Sequence, residues 1–310
     1  MYKIAHILLV VLSGNALWID GPRAAAQDVD FFTNTTYKIV QLTGGTDLTR
    51  RIPTLSRMDN YCVTGTDLGS TFEHNGKLYF LFGDTSGLAN FGDFLAWTDG
   101  SRPEGAFLDV IRGGGCVQPI TVPNVRMSCC EVPSYGISVG GRMYAVVTTD
   151  GYCAPGVCSM SNSVMAVSDD AGTNFHKLYD LSALTNGGKF INVSMVEVDG
   201  RNFSTLPAEQ CVLIWGSGQY RTSNVCLAYV PSAQLSTQSA IRYFRGFQGS
   251  TPLWSANEAD ATDLFDQPQV GEFSVQYCQE LAQWIMLYNA LSPRGINMRS
   301  AGLPWGPPPA

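Results

Sequence analysis

YCVTGTDLGSTFEHNGKLYFLFGDT, residues 61–85, reads as two short apolar strands joined by a tight turn. Phe72–Glu73 and Lys77–Phe82 flank Asn75-Gly76, a dipeptide that tolerates positive φ at both positions and so favours the two-residue type I′ hairpin. Two aspartates bracket the hairpin, Asp67 in TGTDLGS and Asp84 in LFGDT. Only 15% of the 310 residues are charged, so two carboxylates at the ends of apolar strands call for an explanation.

The rhythm spreads outward from this hairpin. FLAWTDGS at 94–101 adds a strand and an Asp-Gly turn, giving about three strands in a blade-sized segment. EVPSYGISVGGRMYAVVTT at 131–149 repeats the pattern about Gly140-Gly141, and NSVMAVSDDAGTNFHKL at 162–178 adds another strand, turn and strand. A third unit follows over 189–248 and a fourth begins near 270. With 32 glycines, 16 prolines and short apolar runs between turns, the chain reads as all-β. Residues 257–265 alone suggest a short helical turn. Ser168, Asp170, Gly172 and Phe175 approximate the Asp-box of sialidase-like propellers, with Asn174 and Phe175 in place of threonine and tryptophan. In such a box the Ser and Asp side chains bond the turn backbone, which assigns Asp170 to structure rather than catalysis. The sequence ends at GLPWGPPPA without strands to complete a last blade, so the ring reads as truncated there. TYKIVQLTG at 36–44 is the strand expected to help close it.

Residues 1–26 have the form of an export signal: Lys3, an apolar HILLVVL and Ala24-Ala25-Ala26. They leave residues 27–310 as one domain, secreted or periplasmic, with no later stretch able to span a membrane. The net charge of −7 argues against a nucleic-acid partner, which needs a basic field. Nine cysteines suit an oxidising compartment. Cys153 and Cys158 bracket a tight loop, Cys211 and Cys226 are placed to bridge a hairpin, and the adjacent Cys129 and Cys130 are expected to have distant partners. Neither a zinc pattern, a nucleophile elbow, a P-loop nor a dinucleotide fingerprint is present, and no metal or cofactor is expected.

TDLGSTF…NGKLYFLFGDT, GSGQYR at 216–221, LWS-x-x-E-x-x-A at 253–261, VGEFSV at 270–275 and INMRSAGLPWGP at 296–307 resemble domain of unknown function 4185. Members of that family have been recognised as endo-D-arabinanases, glycoside hydrolase family 183. The likeness covers roughly residues 36–310. It implies a five-bladed β-propeller hydrolase acting on a furanosidic D-arabinan; the missing last blade is a departure from the family, and the protein is expected to be secreted and monomeric. It also places the catalytic pair on Asp67 and Asp84. Glycoside hydrolysis needs one carboxylic acid for the leaving oxygen and one carboxylate as base. Which aspartate plays which part is open, and either is equally suited to capping a turn through Asx hydrogen bonds. Glu272 in VGEFSV, Tyr220 and Arg221 in GSGQYR, Trp254 and Arg299 are candidate substrate-binding residues. Each has a plain alternative: strand-edge glutamate, blade packing, surface arginine, inter-blade tryptophan. Other readings are a non-catalytic glycan-binding propeller or a glycosidase of another specificity on the same scaffold.

Overall fold

The computed structural model describes residues 29, 37–89, 92–100, 102–128, 130–154 and 157–307. The segment expected to be an export signal, residues 1–26, lies outside these. Blade 1 is the meander β1 (Gly65–His74), β2 (Lys77–Ser86), β3 (Phe94–Thr98) and β4 (Asp109–Val110). A ribbon of β5 (Arg112–Gly113) and β6 (Cys116–Val117) leads to blade 2. Blade 2 contains β7 (Pro133–Val139), β8 (Arg142–Thr149), β11 (Asn162–Ser168) and β12 (His176–Ala183), interrupted by the ribbon β9 (Tyr152–Ala154) and β10 (Val157–Ser159). Blade 3 has five strands, β13 (Asn192–Asp199), β14 (Gln210–Ser217), β15 (Val225–Pro231), β16 (Arg242–Gln248) and β17 (Thr251–Ser255). Blade 4 has three, β18 (Val270–Cys278), β19 (Gln283–Ala290) and β20 (Gly295–Ala301). The first strands stand side by side in the order β1, β7, β13, β18, the arrangement of a β-propeller around its axis. Among the described residues there are four blades, and β18 and β1 make no comparable contact with each other.

Apolar layers between blades hold the structure together. Leu81 and Leu95 of blade 1 meet Met143 and Val164 of blade 2; Val146 and Met165 meet Val193 and Ile214; Trp215 and Leu227 meet Trp284 and Met286. Strand alternation explains the unbroken run LYFLF in β2. Tyr79 and Leu81 face blade 2, while Phe80 and Phe82 face a second cluster capped by Met58, Val63, Leu108 and Val117. Both faces are covered, so both sets of side chains are apolar.

The local readings hold at the hairpins. Asn75 and Gly76 have φ of 49° and 75°, and Gly140 and Gly141 of 59° and 78°, the signs a type I′ turn requires. The Asp-box is also structural: Asp170 Oδ1 accepts from Ser168 Oγ (2.8 Å) and Asn174 N (2.9 Å). Phe175 fills the layer between blades 1 and 2.

Two expectations are corrected. Residues 37–42 are not a strand, because side chains there bond locally instead of to a ladder. Lys38 Nζ reaches Asp47 Oδ1 at 2.8 Å, and the Gln41 amide donates to the carbonyls of Thr43 and Thr46, both at 3.0 Å. Cys211 and Cys226 are buried free thiols. In the β14–β15 ladder Cys211 lies opposite Pro231 and Cys226 opposite Gly216, near opposite ends of the hairpin. A disulfide joins Cys62 to Cys116 with Cα atoms 5.2 Å apart, and Cys130 is also disulfide-bonded. The β9–β10 ladder sets Cys153 opposite Cys158, while Cys129 lies outside the described residues.

Candidate active site

In each antiparallel meander the start of the first strand and the end of the second lie at the same end. For the separate blades to share that end, something must join them there. A small apolar cluster does so: Leu68 at the start of β1, Val132 before β7, Ile191 before β13, Tyr220 just after β14, with Met160. This is the mouth of the propeller.

Asp67 and Asp84 both lie there, within longer strands than the sequence suggested. Asp67 stands opposite Gly83, and β2 then bulges, so that Gly65 pairs with Ser86 while Asp84 and Thr85 oppose the single residue Thr66. A second bulge follows at Gly69. Bulges re-aim side chains, often beside functional sites, and here they carry strain. Asp84 has φ 44° and Leu68 φ 59°, a left-handed conformation that Asp tolerates and Leu rarely adopts. The close packing leaves no slack, since a Cβ on Gly83 would meet Val132 Cγ1 at 2.8 Å and Leu68 Cδ1 at 2.9 Å.

The environments of the two carboxylates differ. Asp67 is exposed, with Oδ1 accepting from Leu68 N at 2.9 Å. Asp84 is half-buried, and its Oδ1 accepts from Cys130 N at 3.1 Å. Burial pushes the Asp84 carboxyl above the usual range; the Cys130 N–H opposes this and the nearby Asp67 charge adds to it. The Asp67 charge thus adds to the proton affinity of Asp84.

Two further acids complete the cluster, and both were passed over in the sequence. Asp93, in FGDF just before β3, is 2% exposed and accepts from Asp84 N at 3.2 Å. Glu131, in CCEVP, is fully buried and accepts from Arg126 Nε (2.7 Å), Gly151 N (2.8 Å) and Ser128 Oγ (2.8 Å). It braces the segment that presents the Cys130 N–H. Their rarity as acids beside apolar strands was the available signal, the same one that picked out Asp67 and Asp84.

A second polar group stands at the ends of blades 3 and 4. Glu272 near the start of β18 accepts from Tyr220 Oη and from Asn289 Nδ2, each at 2.6 Å, with Arg221 Nη2 at 4.0 Å. Burial, and then the hydrogen bond to Glu272, raises the Tyr220 phenol above its ordinary value. Arg221 lies over the Tyr220 ring at 4.5 Å. Tyr220 belongs to the cluster that also holds Leu68, so Glu272, Tyr220 and Arg221 reach the mouth that carries Asp67. Asn289, absent from the sequence reading, sits at the end of β19 and becomes visible only through the fold.

Trp254 and Arg299 are not brought there. Trp254 is on β17, the outermost strand of blade 3, with its ring against Tyr229 at 4.7 Å and near Phe244 and Trp305. It is inter-blade packing, as the indole's size and apolar surroundings favour. Arg299 is on β20, the outermost strand of blade 4, with its guanidinium 4.2 Å from the Phe265 ring and no ion pair among the described residues. Among the described residues, no group of three or more His, Cys, Asp or Glu side chains is arranged to hold a metal ion.

Fold and site together define a β-propeller with two aspartate carboxylates at its mouth. The chain belongs to the DUF4185 family, a domain of unknown function whose model matches residues 54–309. No curated protein sequence matches it. Among solved structures, an exo-β-1,3-galactanase from Phanerochaete chrysosporium with galactose matches at TM-score 0.50 and 9% identity, over 86% of this chain and 52% of that one. A GH43_1 enzyme from Xanthomonas citri complexed with xylotriose matches at TM-score 0.47 and 12% identity, over 81% and 73%. An α-L-arabinofuranosidase from Lactobacillus brevis matches at 0.46 and 11%, over 75% and 71%. At these identities the likeness is one of fold alone.

Proposed function

We propose that this protein is a secreted glycoside hydrolase that cleaves furanosidic D-arabinan, with Asp84 as general acid and Asp67 as general base. The observation that carries the reading is the contrast between these two carboxylates. Asp84 is half-buried with its carboxyl raised, while Asp67 is exposed at the same mouth. Environments that push two carboxyl groups apart are how acid and base roles are divided at one pH.

In the reaction the Asp84 proton passes to the glycosidic oxygen as its bond to the anomeric carbon breaks. Asp67 takes a proton from a water that attacks the opposite face, so the product carries inverted configuration. Asp84 ends ionised and Asp67 protonated, and exchange with solvent restores both. Glu272, steadied by Tyr220 and Asn289, is suited to accept hydrogen bonds from sugar hydroxyls.

Family membership, with its resemblance to endo-D-arabinanases, supports the substrate, and the fold shared with a galactanase supports glycosidic-bond chemistry. The Cys62–Cys116 disulfide supports export, and among the described residues no helix is long and apolar enough to cross a membrane. A five-bladed ring places a further blade between β18 and β1, beside the blade 4 surface where Leu287 and Ile296 are exposed. The active species is a monomer.

The test is incubation of wild-type, Asp67→Asn and Asp84→Asn proteins with D-arabinan, with NMR of the new anomeric protons. Release by the wild type no greater than by the variants sinks the reading. Retained glycan binding by the doubly substituted protein, with no product from any glycan, identifies a binding propeller instead. Product from another polysaccharide only would keep the hydrolase and change its substrate.

A further inference from the structure

Asp93 is a buried acid for which the hydrolytic step has no direct use. It stands where β2 and β3 diverge: Phe82 pairs with Phe94, and beyond that point Thr85 N donates to Gly92 O at 3.2 Å. The left-handed turn at Asp84 takes its N–H out of the regular ladder, and a buried donor needs a partner. Asp93 Oδ1 accepts that N–H at 3.2 Å. The rest of Asp93 is itself pinned, since its carbonyl accepts from Ile120 N at 2.8 Å.

We propose that Asp93 is a positioning residue for Asp84, holding it in the left-handed backbone conformation that presents its carboxyl beside Asp67 and coupling a second proton to that site. The inference rests on the acid role given to Asp84 above. An asparagine would accept the same N–H without a charge, so the backbone bond alone does not account for an acid here. The charged groups that face Asp93 are both acidic, Asp84 from β2 and Glu131 from the segment before β7. Arg126 is engaged by Glu131. Burial, followed by those two carboxylates, pushes Asp93 up to about 8, with the Asp84 N–H pulling the other way. At neutral pH Asp93 is therefore a neutral acid, and its ionisation places a new anion against Asp84.

Carboxyl titration by 13C NMR on the full chain with labelled aspartates tests this without substrate. The expected result is one aspartate titrating near 8 in the wild type, missing in Asp93→Asn and moved to lower pH in Asp84→Asn, where the neighbouring charge is gone. A wild type with no aspartate titrating above ~6, or an Asp93→Asn protein that keeps the high titration, overturns the proposal. In the hydrolysis assay, Asp93→Ala is expected to lower kcat at pH 6 by about tenfold or more with KM within about twofold, the signature of misplacement rather than lost binding. Asp93→Asn, which accepts the same Asp84 N–H, restores most of that loss. Wild-type kcat in Asp93→Ala, or an Asp93→Asn protein as impaired as Asp93→Ala, counts against it. If the wild type cleaves no glycan, the proposed function fails and the titration still decides the role of Asp93.

Discussion

The Cys130 N–H donates to Asp84 Oδ1 across 3.1 Å, tying the segment that leads into blade 2 to the bulged end of β2 in blade 1. Cys130 is itself left-handed, at φ 68°, and the next residue, Glu131, is fully buried among donors. The geometry of the candidate acid thus depends on a segment 46 residues away.

Glu131→Ala is expected to destabilise the fold by about 3 kcal/mol, because Gly151 N, Ser128 Oγ and Arg126 lose a shared buried acceptor. Urea unfolding measures the loss. The same change loosens Cys130, so hydrolytic activity falls even where the protein remains folded.

Stability is expected to decline as pH rises from about 4 to about 8. Through this window the unfolded chain sheds the Asp93 proton at its ordinary 3.8, while the folded chain keeps it to about 8. The folded state then holds the extra proton, so each added pH unit favours unfolding, by at most about 1.4 kcal/mol for one proton. Below the window the penalty vanishes. Asp93→Asn removes this slope, and thermal melts of both proteins at pH 5 and 8 check it.

Asp170→Ala separates structure from catalysis. Its carboxylate serves Ser168, Asn174 N and Asn174 Nδ2, so its loss is expected to cost about 1–2 kcal/mol. Because the Asp-box lies away from the mouth, kcat on the cleaved glycan stays at the wild-type level. A large fall in kcat with an unchanged melting temperature would contradict that assignment.

Replacing Cys62 and Cys116 by alanine opens a link with a sequence separation of 54. The chain-entropy model puts the loss at about 4 kcal/mol, readable as a lower denaturant midpoint. Cys62 lies just before β1, so the change also loosens the approach to Asp67.

The free thiols make a chemical test of the fold. Burial pushes Cys211 up to about 11 and Cys226 up to about 12. Both are expected to resist iodoacetamide in the native protein at pH 8 and to alkylate once it is unfolded. Peptide mass spectrometry reads this directly, and a Cys211–Cys226 disulfide peptide would refute the register of β14 and β15.

How much was legible in the sequence depended on how far each interaction reaches. The I′ turns at Asn75-Gly76 and Gly140-Gly141, the apolar strands and the Asp-box around Asp170 are governed by φ preferences and by bonds spanning a few residues. Local sequence therefore determined them, and with them the all-β, bladed character. Asp67 and Asp84 were also visible, as rare charges beside apolar strands. Tertiary structure alone decided that Tyr79 and Phe80 serve different apolar clusters, that Cys62 pairs with Cys116, and that Trp254 and Arg299 lie on outer strands. It also brought Asp93 and Cys130 to opposite sides of Asp84 and set Asn289 against Glu272. Burial and charge coupling arise where separate chain segments meet, and a carboxyl group's proton affinity follows from that meeting rather than from its neighbours in sequence.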